Sequence, residues 1–377
     1  MFMGVVMVNT INEMMKSFGI GGKFKDYKVF NSGHINTTCL VVMDEDGEEK
    51  KYVLQKINTN VFEIPEDVMG NIVNVTGFIR DKYEDAGYDA SRSVLNFHQS
   101  VYGNYFVIDY YGDYWRVYDY IDNSITYDEA DAEVLYETGK AFGEFQTLLS
   151  DYPSEKLYDT IPNFHNTPKR YETFKRVVEN DPVGRKDGVS SEINAFLQLE
   201  EVASRMQKML DNGDLPLRVT HNDTKCNNVL FDEDSHKHLC VIDLDTVMPG
   251  LVGFDFGDAM RFASNTRAED STDLENVKVD LDKFDAFTQG FIESVGDSLT
   301  KQEIETLPLG AITMTIECGL RFLTDYIDGD NYFKTNYPEH NLDRARCQLA
   351  LAQNMITNMD KMQQIVNNWA KVREFND

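Results

Sequence analysis

Residues 219–261 read VTHNDTKCNNVLFDEDSHKHLCVIDLDTVMPGLVGFDFGDAMR. Within them His221, Asp223 and Asn228 take the spacing H-x-D-x-x-x-x-N, and Asp243 closes the apolar run Leu239, Cys240, Val241, Ile242. Phosphoryl transfer to a hydroxyl asks for this set. One carboxylate takes the proton of the attacking hydroxyl, an amide shortly after it holds Mg²⁺, and a second carboxylate at the next strand end binds the metal that bridges the phosphates. Asn and Asp also crowd into turns, because their side chains bond the local backbone. Turn chemistry accounts for HND, NN and DED one at a time. It dictates neither their spacing nor an aspartate at the end of an apolar strand, and a buried carboxylate needs a partner such as a metal ion.

A chain of 377 residues suits two lobes and buries a full core. At 42% hydrophobic and 12% aromatic it has the composition of a folded soluble protein. The formal net charge of −28 and the lack of any basic block argue against a nucleic-acid polymer as partner. A site for ATP must therefore gather its positive charge and Mg²⁺ locally. The five cysteines are scattered and form no CxxC pair, so neither a disulfide framework nor a zinc site is expected, and a cytoplasmic location fits best. The start, MFMGVVMVNTINEMM, has no basic region or cleavage-like site, and no stretch approaches the roughly 18 apolar residues of a membrane span.

The first third reads as β. Residues 26–31, 35–43 and 51–57 are β-branched and aromatic runs bounded by turn signals, the pattern of a small antiparallel meander. Between the first two lie Gly33, His34, Asn36 and Thr37, a candidate loop over nucleotide phosphates, or a plain hairpin turn. Lys56 on the third strand shares a face with Tyr52 and Leu54. It either reaches into a cleft to neutralise phosphates, as V-L-Q-K follows the V-A-I-K pattern of kinase strands, or snorkels at an edge. Residues 65–85 read as a helix, with Val68, Ile72, Val75 and Ile79 in phase, and Glu63 or Glu66 as partners for Lys56. Two strands follow, around 104–111 and 114–121. The backbone of Asp119 and Ile121 is set against the adenine by order in the chain alone. From Asp128 the chain turns helical, with a helix over 132–150, a loop over 161–174, a helical pair over 190–210, an acidic mobile loop after Arg261 and three closing helices. The expected fold is α+β and bilobal, with a small antiparallel-sheet lobe over residues 1–121 and a mainly helical lobe over 122–377.

With these residues in view, the sequence resembles the aminoglycoside phosphotransferase family of kinase-like enzymes, and within it the N-acetylhexosamine 1-kinases. The broad likeness rests on the central motif followed by Ile242-Asp243 and Asp255-Phe256-Gly257-Asp258. The narrower one rests on VLQKINTNVF (53–62), WRVYDYI (115–121), IPNFHNT (161–167), HNDTKCNNVL (221–230), VIDLDTVMPGLV (241–252), RFLTDYIDGDNYF (321–333) and HNLDRAR (340–346). The resemblance implies a two-lobe kinase-like fold and ATP-dependent phosphorylation of the anomeric hydroxyl of an N-acetylhexosamine. By carry-over Asp223 is the base, Asn228 and Asp243 are the Mg²⁺ ligands, and Arg321 and Tyr332 contact the sugar. Asp255 or Asp258 braces the catalytic loop. A single Gly33 stands where a glycine-rich run is usual. Another small hydroxyl compound, such as an aminoglycoside or choline, is the alternative acceptor, and a non-catalytic binding module is the alternative to an enzyme.

Overall fold

The computed structural model describes residues 2–30 and 36–374, with the backbone alone at 2–6 and 372–374. Helix α1 (Phe2–Ser17) precedes strands β1 (Lys23–Phe30), β2 (Thr37–Glu45) and β3 (Glu48–Ile57). Helix α2 (Pro65–Asp85), β4 (Val107–Ile108) and β5 (Tyr114–Asp119) follow. The five strands form one antiparallel sheet in the order β1-β2-β3-β5-β4. The expected meander is there, and α2 covers the expected residues 65–85, with Pro65 at its first turn where the missing N–H costs nothing.

Alternation sorts the sheet residues onto two faces. Cys39, Val41, Tyr52, Leu54, Trp115 and Val117 point one way and pack against Ile11, Met14 and Met15 of α1 and Phe18 just after it. The helix was not expected. The other face packs on α2, whose Val68, Met69, Ile72, Val75 and Ile79 are buried together with Ile57 and with Phe145, Leu149, Val219, Leu244 and Val247 from the helical part. Asn71 of α2 donates to the carbonyls of Val247 and Tyr158, both at 2.9 Å, which ties the helix to the segment after Asp243. Thus α2 is the element shared by the sheet and the central motif.

The helical part comprises α3 (Ala132–Leu148), α4 (Thr167–Asn180), α5 (Ser190–Ala203), α6 (Arg205–Asp211), α7 (Val252–Ala263), α8 (Leu281–Val295), α9 (Lys301–Glu305), α10 (Leu307–Asp328), α11 (His340–Thr357) and α12 (Met359–Glu374). Short strands β6 (Ser124–Ile125), β7 (Arg218–Thr220), β8 (Val229–Asp232), β9 (His238–Val241) and β10 (Met248–Gly250) frame the central motif. Helices α7 and α10 cross closely because both carry glycine at the contact: a methyl on Gly310 would overlap the Gly253 carbonyl.

Three expectations change. The expected loop over 161–174 becomes helix α4 from Thr167, because Asn166 caps it by accepting from Lys169 N at 3.1 Å and Pro168 suits its first turn. Among the described residues five helices, not three, follow Arg261, the last two, α11 and α12, meeting at Asn358. The acidic passage is anchored, not free: Asn265 bridges Val279, Val277 and Val279 are buried, and Arg261 Nη1 pairs with Glu269 at 2.7 Å.

Candidate active site

The β8–β9 hairpin aligns the central motif. Val229 pairs with Val241, and Ile242 N donates to the Asn228 carbonyl at 2.9 Å, so Asn228 and Asp243 leave adjacent strands side by side. Asp243 adopts φ 59°, and Asn222 in the facing loop adopts φ 64°. Asn and Asp are the side chains that tolerate this left-handed conformation best.

The loop from Thr220 to Asn228 is held from behind by Asp255 in the first turn of α7. One carboxylate oxygen accepts from His221 N (2.8 Å) and Gln146 Nε2 (3.0 Å), the other from Asn222 N (2.7 Å), and the Asp255 carbonyl accepts from Thr224 Oγ1. Asp255 is therefore the brace, whereas Asp258 pairs with Arg261 at 3.1 Å. His221 is fully buried. Its Nδ1 accepts from Asp223 N at 3.3 Å, so Nε2 carries the proton and donates to the Ile242 carbonyl at 2.8 Å, linking the loop to the strand that precedes Asp243.

Asp223 keeps 29% of its side chain open, and its two oxygens have different partners. Oδ1 lies 2.7 Å from Lys225 Nζ, and Oδ2 accepts from Asn228 Nδ2 at 3.0 Å. Burial raises its pKa, but Lys225, His221 and Asn228 outweigh burial and hold the carboxyl below its usual range. Lys225 is raised: burial lowers it, and Asp223 and Asp258 more than offset this. Lys225 lies inside the quoted motif but at a position that the H-x-D-x-x-x-x-N spacing leaves open, so sequence reasoning passed over it.

Asp243 behaves in the opposite way. Burial, then Asp245 and Asp223 nearby, push it up to about 7. Asn228 turns its amide nitrogen toward Asp223, which leaves the amide oxygen on the side away from that carboxylate. A carboxylate raised by burial and neighbouring acids, on a strand end beside that of Asn228, fits a hard divalent cation that takes most of its ligands from phosphate and water. The pair accords with the absence, among the described residues, of any cluster of three or more His, Cys, Asp or Glu able to form a self-sufficient metal cage.

Two nucleotide contacts expected from the sequence are displaced. Lys56 does share a face with Tyr52 and Leu54, but that is the face covered by α1. Its Nζ pairs with Asp113 at 3.1 Å and not with the expected glutamates, while Glu66 accepts from Tyr114 Oη. Asp119 points to the same face, where it accepts from Asn96 Nδ2 and engages His98 Nε2, both at 2.6 Å, and its N–H donates to the Asn96 carbonyl. Neither its side chain nor its N–H is available to an adenine. The Ile121 carbonyl accepts from Ser124 Oγ at 2.6 Å. Gly33 and His34 lie outside the described residues. Asn36 donates to Asp245 Oδ2, and Thr37 pairs across the sheet with Lys56. The residues facing α2 at this level are instead Gln55 and Arg116, which sequence reasoning missed.

Arg321 and Tyr332 do meet. Arg321 Nη2 lies 3.4 Å from Tyr332 Oη, and its guanidinium stacks over Phe164, Tyr332 and Phe333 at 5.4–5.8 Å from the ring centres. They line a cavity of about 460 Å³ between α4 and α10, together with Arg170, Arg176 and Asp325. Asp325 is committed elsewhere, accepting from the N–H groups of Asn331, Tyr332 and Phe333 and from Asn341. One turn before Arg321, Glu317 accepts from Thr167 Oγ1 at 2.7 Å and engages His165 Nδ1 at 2.9 Å. The His165 ring packs on Phe254, the neighbour of Asp255, so a continuous wall joins the catalytic loop to this cavity.

A small antiparallel sheet and a helical body meeting at such a loop define a kinase-like phosphotransferase. Residues 26–285 match the phosphotransferase enzyme family (APH), and the chain belongs to that family. Among solved structures, a microcompartment-associated aminopropanol kinase superposes with a TM-score of 0.61 at 14% identity, covering 94% of this chain and 98% of that one. The spectinomycin phosphotransferase APH(9)-Ia, in complex with ADP and spectinomycin, gives 0.58 at 11% identity, covering 93% and 98%. The choline kinase LicA from Streptococcus pneumoniae gives 0.51 at 15% identity, covering 91% and 99%.

Proposed function

We propose that this phosphotransferase uses ATP and Mg²⁺ to phosphorylate the anomeric hydroxyl of an N-acetylhexosamine, GlcNAc or GalNAc, giving the sugar 1-phosphate. Asn228 and Asp243 hold the magnesium, which supplies charge neutralisation to the phosphates when bound. Lys225 places a cation beside the acceptor oxygen's base, in position to offset charge that spreads over the transferring group. Asp223 orients the acceptor hydroxyl and takes its proton late. Its lowered pKa suits that role, because an anomeric hydroxyl is more acidic than an ordinary alcohol and the loose transition state asks little of the base. Asp255 keeps the loop rigid so that these groups need no reorganisation during transfer.

The observation that carries the choice of acceptor is the charge of the cavity between α4 and α10. Arg170, Arg176 and Arg321 line it against Asp325 and Asp328, and among the described residues no carboxylate is bonded to Arg170 or Arg321, in a chain with 64 acidic residues against 36 basic ones. A cationic alcohol such as choline or an aminoglycoside wants the reverse. The acidic passage after Arg261 does not supply it either, since Glu269 pairs with Arg261, Asp270 with His340 and Asp273 with Arg267. The side chains present suit a neutral polyhydroxylated ring. Arg321 forks onto hydroxyls or an acetamido carbonyl, Tyr332 offers a ring face and a hydroxyl, and buried Arg170 Nε has no hydrogen-bond partner among the described residues. ATP consumption measured in parallel with GlcNAc, GalNAc, choline, 1-amino-2-propanol and kanamycin tests this reading. Turnover confined to the hexosamines is expected. Turnover of a cationic alcohol with neither hexosamine used would overturn the substrate, and no turnover of any acceptor by a nucleotide-binding chain would favour a binding module.

A further inference from the structure

A phosphate-holding sheet needs positive charge on the face that meets the catalytic loop, and β3 does not provide it. Lys56 lies on the α1 face, and Lys51, on the inner face, sits at the far end of the strand paired with Asp122. The cation on that face beside Asp243 is Arg116 of β5. Its side chain is 3% exposed, its Nε and Nη2 donate to Gln55 Oε1 at 2.9 and 2.6 Å, and its Nη1 pairs with Asp245 and lies 3.8 Å from Met69 Sδ on α2. Asp245, two residues beyond Asp243, also accepts from Asn36 Nδ2 at 2.5 Å, and Asn36 Oδ1 in turn accepts from Asn58 N at 2.9 Å. One network thus joins the end of the β1–β2 loop, the segment carrying Asp243, the inner face of the sheet and α2.

Two features set this network apart from a packing device. A buried ion pair is poor value as a stabiliser, because desolvating both charges offsets most of their attraction, and an apolar pair of similar volume does as well. A guanidinium also has five N–H groups in a rigid fork. Gln55 takes one from Nε and one from Nη2, Asp245 and Met69 engage Nη1, and the Phe97 ring lies 5.9 Å from the guanidinium carbon, which leaves a second Nη2 hydrogen with no acceptor among these neighbours. Planar, always charged and fixed in place, it is suited to phosphate oxygens.

We propose that Arg116, fixed by Gln55 and Asp245, is the cation through which the sheet grips the phosphate beyond the α position of a bound nucleoside diphosphate or triphosphate, and that the same pair sets the approach of Asp243 to the metal. This rests on the nucleotide reading above and adds to it a residue from a different strand than the one the sequence pointed to. Because Arg116 acts on the distal phosphates, its loss discriminates between nucleotides: ADP suffers and AMP does not.

Calorimetric titration of ADP and of AMP, with magnesium present, tests this on the wild type, on Arg116→Lys and on the double variant Arg116→Met/Asp245→Asn, which leaves no buried charge alone. The ratio of ADP to AMP affinity is expected to fall by on the order of tenfold or more in the double variant and by less in Arg116→Lys, which keeps the charge and loses the fork. Melting curves establish that each variant is folded, and Arg116→Lys decides alone if the double variant is not. Folded variants that keep the wild-type ratio, or that weaken ADP and AMP equally, reduce Arg116 to a strut and overturn the proposal. A wild type that binds neither nucleotide overturns the nucleotide site itself, a result distinct from an unchanged ratio.

Discussion

Asp223 meets Lys225 on one carboxylate oxygen and Asn228 on the other, so a change to asparagine keeps its shape and removes both the proton acceptor and the charge. Asp223→Asn is expected to bind nucleotide nearly as well as wild type while turnover falls by roughly 3 kcal/mol of barrier, on the order of a hundredfold, read from kcat beside a nucleotide titration. Near-normal kcat would contradict the role. Asp243 gives a pH dependence with a definite sign. Its carboxyl is pushed up to about 7 without a cation, so below that pH a proton must leave before a metal can enter. Magnesium affinity should weaken as pH falls from about 8 to about 6, and Asp243→Asn should flatten the profile. That Asp223, Asn228 and Asp243 come together was legible because a fixed local spacing and the end of the next strand bring them there. The place of Lys56 was not legible because alternation gives a side chain's phase along a strand but not which face another helix covers, and here that helix is α1, whose apolar residues carry no motif. Gln55 and Arg116 were invisible for the same reason, since their partnership depends on the register of β3 with β5.

At the scale of elements, β9 is pinned to α3 by one imidazole. His238 Nδ1 engages Glu137 at 2.7 Å and Nε2 engages Glu144 at 3.0 Å. Burial opposes the charged ring, but the two glutamates outweigh burial and raise its pKa above the ordinary 6.5. The charged form is therefore favoured in the folded chain. This stabilisation is fully present below pH 6.5 and disappears as pH rises through the raised value. His238→Gln should lower the melting temperature at acidic to neutral pH and converge on wild type in alkali. An equal loss at every pH would mean the ring only packs. Element boundaries were readable where a proline at the first turn and periodicity agreed, as in α2. Helix α4 was lost because Asn166, read as one more polar residue of a loop, is in fact its cap.

At the scale of the whole molecule, α2 packs on the sheet and reaches the segment after Asp243 through Asn71, and the catalytic loop is fastened to α7 by Asp255. A nucleotide held by both sides should therefore stabilise the fold as a unit. Magnesium and ADP at a hundred times their Kd are expected to add about 2.7 kcal/mol, seen as a single shifted melting transition, and Asp243→Ala should lose most of that shift. Two shifted transitions would show the sheet and the helical body unfolding apart. Which parts form the sheet and which the helical body was legible from the order of β-rich and helical stretches. The cavity between α4 and α10 was not, because it is built from side chains some 150 positions apart.

The measurement that bears most directly on the account is the position of the phosphate in the product. Wild-type chain, ATP, magnesium and GlcNAc should give a single phosphorylated sugar whose phosphorus couples to the anomeric proton, and Asp223→Asn should give almost none. Phosphate on any other oxygen of the sugar, or the same yield from Asp223→Asn, would contradict it.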